Sequence, residues 1–392
     1  MIYLDHHATT PVDARVLEAM LPWFERDFGN AASRTHAFGW RAEAAVDVAR
    51  EQIAAAIGAR DPREIVFTSG ATESNNLALL GVARAGRKRG DHVVTTAVEH
   101  SSVLEPCDAL VREGFARTLL PVDRDGRVDP GAVAAAITDR TLLASVGWAN
   151  GEIGTVQPIA AVAEACRARG VLLHSDAAQA VGKVPLDVAA AGVDLLSISA
   201  HKLYGPKGVG ALWVRSGRPR VRIEPLLFGG GHENGLRPGT LPVPLIVGFG
   251  RAVEIAVAAR ESEAARLLAL RERLLASLCD ALPGIRVHGH PHERVPGNLN
   301  LAFAGIEADA LLAALRDIAL STGSACSSAR PEPSHVLVAL GLPEATVRAS
   351  VRIGLGRGTT VAEIDAAAAA IVAAVRSLRA EPARPHRSAP GA

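Results

Sequence analysis

The sequence predicts an α/β protein with a large, mostly parallel sheet and a second, smaller α+β domain. The first observation is that short apolar segments alternate with helical segments from residue 40 to about residue 215. Such alternation is typical of parallel strands whose crossover helices cover both faces of the sheet. The second is a Gly/Pro-rich passage at residues 228–244, followed by a long helical pattern and then shorter strand and helix patterns. This passage marks the change from one kind of domain to the other.

The individual elements follow from apolar spacing. A helix is predicted over residues 40–57, where apolar side chains recur every three or four positions. The strands of the large sheet are predicted at residues 64–68, 92–98, 141–146, 171–174, 194–199 and 210–214. Between two of these strands lies a helix at 159–169, which ends at Gly170. After the Gly/Pro-rich passage we expect a helix over about 245–278, a strand over 298–303 and a helix over 308–316.

The domain division follows from the same pattern. A chain of 392 residues is long enough for two or three domains. We expect the large domain over residues 16–260 and the small domain over residues 1–15 together with 261–378. Residues 379–392 are rich in proline and small side chains, so they predict a disordered tail.

Composition narrows the class of protein. The 42 Lys+Arg residues nearly balance 41 Asp+Glu residues, which argues against a nucleic-acid or membrane-surface binder. The longest purely apolar run, at 366–375, is about half of the ~20 residues that span a bilayer. The first residues lack both the basic flank and the apolar core of a signal peptide. We therefore expect a soluble, cytoplasmic protein.

Lysine and cysteine are both scarce. A chain that otherwise uses arginine keeps a lysine where an amine that can lose its proton is needed. No two cysteines form a Cys-x-x-Cys pair, so zinc ribbons are disfavoured and we expect no metal site. The four lysines and four cysteines are Lys88, Lys183, Lys202, Lys207, Cys107, Cys166, Cys279 and Cys326.

Lys202 is the strongest catalytic candidate. It follows a predicted strand directly and precedes the Gly/Pro-rich segment 204–208, a position that suits Schiff-base formation. A surface lysine is the alternative, because Lys183 and Lys207 lie in similar loops. Asp176, at the end of another strand, could keep a pyridine nitrogen protonated, although an aspartate there also caps helices. The pair of Lys202 and Asp176 favours a pyridoxal phosphate (PLP) site.

Four further features carry candidate chemistry. Residues 69–74 follow a strand and open a helix, which suits a phosphate, although they also read as a capping box. His100 follows a strand and is either a stacking and acid–base residue or a structural histidine. Cys326 lies in a segment of small residues at 321–328 and is either a nucleophile or an ordinary exposed thiol. Arg352, inside an apolar strand-like segment, calls for an anion such as a substrate carboxylate.

Together these features resemble the cysteine desulfurases of the NifS and IscS type, PLP-dependent enzymes of the aminotransferase-like fold (fold type I). The resemblance runs from Tyr3 to about Arg376, and its most specific stretches are residues 28–33, 67–76, 199–208 and the segment around Cys326. It implies conversion of L-cysteine to L-alanine, with the sulfur passed to Cys326 as a persulfide. It also implies a homodimer and a sulfur-acceptor protein, either an iron–sulfur scaffold or a thiolation enzyme.

The resemblance also implies a role for each matching residue. Lys202 would be the Schiff-base lysine, Cys326 the sulfur acceptor, and His100 the residue that stacks on the ring and moves protons. Asp176 would contact the ring nitrogen and Gln179 the ring hydroxyl, and Asn150 would be a further cofactor contact. The cofactor phosphate would be held by Ala71, Thr72, Ser199, His201 and the neighbouring subunit's Thr240. Asn30 and Arg352 would take the substrate carboxylate.

The chain departs from the family at two positions. The family usually has Asn-Asn-Glu where this chain has Asn150-Gly151-Glu152, and Pro238 replaces a serine in a phosphate-binding loop. Two alternatives to a desulfurase stay open. One is another PLP-dependent lyase or aminotransferase in which Cys326 is incidental, and the other is a PLP-binding scaffold for sulfur transfer.

Overall fold

A computed structural model describes residues 1–217, 220–322 and 333–380. Cys326 and residues 381–392 of the expected tail lie outside the described residues. Residues 379 and 380, which we expected in that tail, instead continue the last helix. None of the helices in the described part of the chain is both long and apolar enough to cross a bilayer.

The strands β1 to β12 are, in chain order, Ile2–Tyr3, Ile65–Thr68, His92–Thr96, Ala116–Leu120, Thr141–Ser145, Leu172–Asp176, Leu195–Ser199, Gly210–Val214, Ile285–His288, Asn298–Phe303, Ile318–Ala319 and Ser350–Gly354. The helices α1 to α13 are Ala14–Met20, Pro22–Glu25, Ala37–Ala56, Ala71–Gly86, Ser101–Arg112, Pro130–Ala136, Ile159–Ala168, Val188–Ala191, Val243–Ala281, Ala308–Ala314, His335–Ala339, Glu344–Arg348 and Val361–Ala380. Single 3₁₀ turns cover Pro62–Glu64, Ala200–Lys202 and Glu233–Gly235.

The large sheet has seven strands in the order β2-β8-β7-β6-β5-β3-β4 within the described residues. β8 is antiparallel to both of its neighbours, and the other pairs are parallel. Most of these strands are buried along their whole length because helices cover both faces. The carboxyl ends of β3, β5, β6 and β7 therefore meet at one edge, where open α/β sheets bind their ligands.

The small sheet is antiparallel, with the order β12-β10-β9, and β1 pairs in parallel with β11. Its apolar core is separate from that of the large sheet and includes Leu4 from the first residues of the chain. The long helix α9 contributes to both cores. Ile246 and Phe249 pack in the large core, whereas Leu274 and Leu278 pack in the small one.

The predicted α/β architecture is confirmed, and each strand predicted for the large sheet lies within two residues of its observed bounds. The helix predicted from residue 40 begins earlier, at Ala37, because the ring of His36 accepts the backbone N–H of Gly39 and caps it. The sequence pattern missed β4, an edge strand in which charged and polar residues interrupt the apolar ones.

Candidate active site

The carboxylate of Asp176 is held at the carboxyl end of β6. Its Oδ2 accepts a hydrogen bond from Nδ2 of Asn75 at 2.7 Å, and its Oδ1 accepts one from the backbone N–H of Ala178 at 2.9 Å. Asn75 lies on α4, and its side chain is buried. Because both oxygens are anchored from different elements, the carboxylate has one orientation at the edge of the sheet.

His100 is linked to Asp176 through two intervening side chains. Nδ2 of Asn75 also donates to Oγ of Ser102 at 2.8 Å, which leaves the Ser102 hydroxyl proton for Nδ1 of His100, 2.8 Å away. The backbone N–H of Ser102 points to the same Nδ1 at 3.1 Å, so His100 caps α5. Since Nδ1 accepts both bonds, the neutral ring carries its proton on Nε2.

The electrostatics keep His100 neutral at neutral pH. Burial lowers its pKa, and the nearby carboxylate of Asp176 opposes this shift only in part. The neighbouring residue Glu99 is buried as well, and burial raises its pKa to about 7. Glu99 accepts hydrogen bonds from Oγ1 of Thr96 at 2.7 Å and from the backbone N–H of Gly147 at 2.9 Å. It therefore ties the end of β3 to the loop after β5.

Lys202 ends the 3₁₀ turn that follows β7. The hydroxyl of Thr10 fixes this turn, because Oγ1 donates to the backbone oxygen of His201 at 2.9 Å and accepts from the backbone N–H of Tyr204 at 2.8 Å. Burial and the charge of Lys202 lower the pKa of His201 to about 4, so that ring is neutral. Tyr204 adopts a left-handed backbone with φ 66°, and the chain turns sharply after the lysine.

The residues expected at a phosphate lie at the start of α4 and the end of β7. Ala71 begins the 16-residue helix, and Gly70 before it supplies no side-chain cap, so the first N–H groups point outward. Ser199 pairs with Gly210 across β7 and β8. A Cβ on Gly210 would lie 2.6 Å from Cα of Gly70. The start of α4, with Thr72 exposed, therefore lies beside Ser199 and the turn of Lys202.

Gln179 lies at the centre of a third cluster. Its Oε1 accepts from Nζ of Lys183 at 2.7 Å and lies 3.1 Å from Nδ1 of His7, and its Nε2 donates to the backbone oxygen of His7 at 2.9 Å. Burial, followed by the charges of Lys202 and Arg352, lowers the pKa of Lys183 to about 7. Two amines, Lys183 and Lys202, therefore lie in one electrostatic neighbourhood.

Arg352 is buried on β12 and already has a protein anion. Its Nη2 donates to Oδ1 of Asp5 at 2.8 Å and its Nη1 to the backbone oxygen of Gly151 at 3.3 Å, while its Nε has no described partner. Oγ of Ser321 donates to the same Asp5 oxygen at 2.9 Å. The anion beside Arg352 is thus Asp5, a partner that sequence reasoning missed, and a substrate carboxylate at Arg352 stays a prediction.

The structure does not join every expected residue to the cluster. Asn30 is exposed, and its Oδ1 accepts the backbone N–H of Ala32 at 2.9 Å. The side chain of Asn150 joins its own loop to the segment after β3. It donates to the backbone oxygen of Val98 and accepts from the backbone N–H groups of Glu152 and Ile153. Thr240 is exposed on the passage before α9. Cys326 lies outside the described residues.

Sequence reasoning also gave no role to several residues that build the site. Asn75 lies in the segment 67–76 that carries the family resemblance, and Lys183 lies in a loop similar to that of Lys202, so the sequence alone gives neither a separate role. Glu99 stands next to His100 but is an acidic residue that the pattern places at a strand end. Asn75 and Glu99 bond to residues 101 and 48 positions away, so no local pattern identifies those contacts. Lys183 bonds to Gln179, only four positions away, and there the contact depends on the orientation of the amide.

Comparisons with known proteins agree with this geometry. The aminotransferase class-V family profile matches residues 2–367. A protein named cysteine desulfurase IscS from Anaeromyxobacter sp. (strain Fw109-5) is 55% identical over 96% of this chain and 93% of its own length. The chain belongs to the aminotransferase class-V family, among its cysteine desulfurases.

Solved structures place the chain in the same group. A NifS-like protein superposes with a TM-score of 0.90 at 36% identity, covering 96% of this chain and 99% of that one. The structure titled SspA in complex with cysteine has a TM-score of 0.81 at 38% identity, covering 91% and 99%. The predicted fold type I and the predicted family are confirmed. The protein is an enzyme, and its cofactor is PLP.

The residues present fit PLP. The anchored carboxylate of Asp176, the amine of Lys202 and the uncapped start of α4 lie at one edge of the sheet, as a ring nitrogen, an aldehyde and a phosphate require. When bound, PLP supplies an electron sink for the charge that develops on the substrate. Among the described residues, no group of three His, Cys, Asp or Glu side chains is arranged to hold a metal ion.

Proposed function

We propose that this protein acts on L-cysteine as a PLP-dependent desulfurase and passes the sulfur to Cys326. The observation that carries this proposal is the hydrogen-bonded chain from Asp176 through Asn75 and Ser102 to His100, at the same sheet edge as Lys202. A solved structure of a related protein is titled SspA in complex with cysteine. In this reaction the substrate C–S bond breaks, an S–S bond forms with Cys326, and the carbon fragment takes up protons to become L-alanine.

Each described residue of the site would have a separate chemical role. Asp176 would hold a proton on the ring nitrogen, and Lys202 would carry the cofactor and move the proton of the substrate Cα. His100, with its proton on Nε2, would stack on the ring and exchange a proton with the substrate thiol. The remaining contacts that we propose for the cofactor and the substrate are Ala71, Thr72, Ser199, His201, Gln179, Asn150, the partner's Thr240, Asn30 and Arg352.

Two described contacts support Cys326 as the acceptor. The backbones of Ser321 and Arg352 pair with each other. The N–H of Ser321 lies 3.4 Å from the Arg352 oxygen, and the Ser321 oxygen accepts the N–H of Arg352 at 2.7 Å. Nε2 of His335 lies 2.9 Å from the backbone oxygen of Glu99. The residues before and after 323–332 are therefore both attached beside the site.

A homodimer is the second part of the proposal. Large apolar side chains between residues 17 and 40 are exposed on the described chain, which a second copy would cover. They are Leu17, Leu21, Phe24, Phe28, Phe38 and Trp40, with exposed fractions of 44% to 65%. Phe228, exposed by 84%, begins the Gly-rich passage that leads to Thr240. That passage would carry Thr240 to the phosphate of the partner's cofactor.

We also propose a cytoplasmic location and the division into domains 16–260 and 1–15 plus 261–378. The thiols of Cys107, Cys166 and Cys279 are free, as a reducing compartment requires. Leu4 packs in the core of the small sheet, whereas Val16 packs in the core of the large one. The acceptor of the sulfur would be an iron–sulfur scaffold or a thiolation enzyme.

The test compares wild type with Cys326→Ser and Lys202→Ala. Each protein is loaded with PLP, its visible absorbance is recorded, and alanine, sulfide and protein-bound persulfide are measured after addition of L-cysteine. We expect Cys326→Ser to keep the cofactor band but to form no persulfide and almost no alanine, because a serine hydroxyl has a far higher pKa than a thiol. Lys202→Ala should lose both the band and turnover.

Two results would contradict the proposal. Alanine formation at the wild-type rate in Cys326→Ser would favour a different PLP-dependent lyase. A covalently bound, borohydride-reducible cofactor in Lys202→Ala would move the attachment to another lysine.

A further inference from the structure

The hydrogen bonds of Gln179 leave its side-chain amide only one orientation. Oε1 of the amide lies 2.7 Å from Nζ of Lys183, which donates to it. A backbone carbonyl only accepts, so the atom 2.9 Å from the His7 oxygen must be the amide nitrogen. Lys183 and the main chain of residue 7 therefore clamp the amide from its two ends.

The same clamp settles the tautomer of His7. Its Nδ1 lies 3.1 Å from Oε1 of Gln179, which is an acceptor, so Nδ1 carries the proton. The ring is buried, and burial together with the charge of Lys183 lowers its pKa well below the ordinary value. His7 is therefore neutral, and Lys183 is the group of this cluster that can carry a charge.

One hydrogen of the Gln179 amide is left over. Nε2 carries two, and one goes to the backbone oxygen of His7. A Cβ on Gly151 would lie 3.0 Å from Nε2, so a larger residue at 151 would crowd the amide. Lys202 lines the same cavity as Lys183 and His7, the two side chains that contact the Gln179 amide. The second N–H of Gln179 is thus available to a group bound at Lys202.

The charges that face Lys183 come from several elements. Arg352 on β12 and Lys202 after β7 both act on it, and they are positive. Lys183 and Lys202 line a common cavity with His6 and His7. The cavity wall also includes Arg260 and Glu263 from α9, and Arg357 from the segment after β12.

We propose that Lys183 is a positioning residue for the cofactor: it holds the Gln179 amide so that an Nε2–H faces the ring oxygen of PLP, and it places a second amine beside Lys202. This rests on the role proposed for Gln179. A hydrogen-bond donor to the ring oxygen reduces the negative charge on that oxygen. A charged Lys183 nearby disfavours a second positive charge on the nitrogen of Lys202. Both effects make the nitrogen that joins Lys202 to the cofactor lose its proton at lower pH.

The experiment is a pH titration of the visible absorbance of the PLP-loaded protein, without substrate. Wild type is compared with Lys183→Met, Lys183→Gln, Gln179→Leu and Lys207→Met. Lys207 is exposed and lies in a neighbouring loop, so it is the matched control. We expect Lys183→Met and Gln179→Leu to move the titration midpoint upward by about half a pH unit or more, and Lys207→Met to leave it in place. Lys183→Gln restores a donor without the charge, and it should give a smaller upward move.

The outcomes distinguish the role proposed for Lys183 from the role proposed for Gln179. If Gln179→Leu moves the midpoint and both Lys183 variants match wild type, Lys183 does not position the amide, and the proposal is wrong while the role of Gln179 stands. If none of the variants moves the midpoint, Gln179 does not contact the ring oxygen, and both assignments fail. Should Lys183→Met not fold, the Lys183→Gln titration decides in the same way.

Discussion

The buried carboxyl of Glu99 makes stability depend on pH. Burial raises its pKa to about 7, above the ordinary value that applies when the chain is unfolded. The folded state therefore binds this proton more tightly, and the stability it contributes is full below about pH 4.5 and is lost as the pH rises toward 7. The glutamine of Glu99→Gln stays neutral at every pH. When the pH rises from 5 to 8, the unfolding free energy of wild type should therefore fall by about 2 to 3 kcal/mol more than that of the variant.

Urea unfolding at the two pH values measures this difference. Glu105→Gln is the matched control, because Glu105 is an exposed residue on α5, a few positions away. The control should keep the wild-type pH dependence. A Glu99→Gln protein with that same dependence would show that Glu99 does not take up a proton on folding.

At the scale of single residues, the sequence predicted the groups that stand at strand ends. Lys202 and Asp176 each had a structural alternative, and it was their occurrence as a pair at two strand ends that favoured a cofactor site. Asn75 could not be assigned because its partner Asp176 is 101 residues away in the chain. Lys183 could not be assigned because its contact depends on the orientation of the Gln179 amide. Local spacing identifies which residues reach an edge but not which of them meet there.

At the scale of elements, the junction of β7, β8 and α4 tolerates no extra atom. A Cβ on Gly210 would lie 2.5 Å from the oxygen of Ile198 and 2.6 Å from Cα of Gly70, and both are backbone atoms that cannot swing aside. Gly210→Ala should therefore displace the turn at the start of α4, lower the unfolding free energy by about 1 to 3 kcal/mol and weaken PLP retention. The measurement is the ratio of cofactor absorbance to protein after dialysis, with urea unfolding alongside.

The control for this prediction is Gly358→Ala. Gly358 is exposed, and a Cβ there would meet nothing within 4 Å. It should behave as wild type in both measurements. Full PLP retention by Gly210→Ala would mean that the start of α4 does not carry the phosphate.

The element pattern was predictable where burial is continuous and failed where it is not. β5 is buried at all of its five positions and was identified by its apolar run. β4 is an edge strand with a neighbour on one side only, and only Leu120 of its five residues is buried. β2, the edge strand at the other end of the sheet, is buried at all four positions and was predicted, so burial and not edge position decides how strong the signal is.

At the scale of the whole molecule, one helix joins the two cores. α9 runs for 39 residues from Val243 to Ala281, longer than the predicted helix of 245–278, and it packs in both cores. The sequence shows the helix but not where it passes from one core to the other, because its apolar stripe continues through both. The pairing of β1 with β11, which brings the first residues beside the small sheet, joins positions more than 300 residues apart.

The exposed apolar surface between residues 17 and 40 leads to the last prediction, that the enzyme is a homodimer through this surface. Phe24 is exposed by 56%, and Phe28 by 65% with its ring 5.3 Å from that of Phe38. Burying a charge in such an interface is costly, so Phe24→Glu should convert the dimer to a monomer and release PLP, because the partner's Thr240 is lost from the phosphate site. Light scattering after size exclusion gives the mass, expected at about twice that of one chain for wild type.

Leu119→Glu is the control, since Leu119 is exposed by 44% on the edge strand β4, outside this surface. A wild-type enzyme that is monomeric and active at assay concentration, or a Phe24→Glu protein that stays dimeric, would refute this interface.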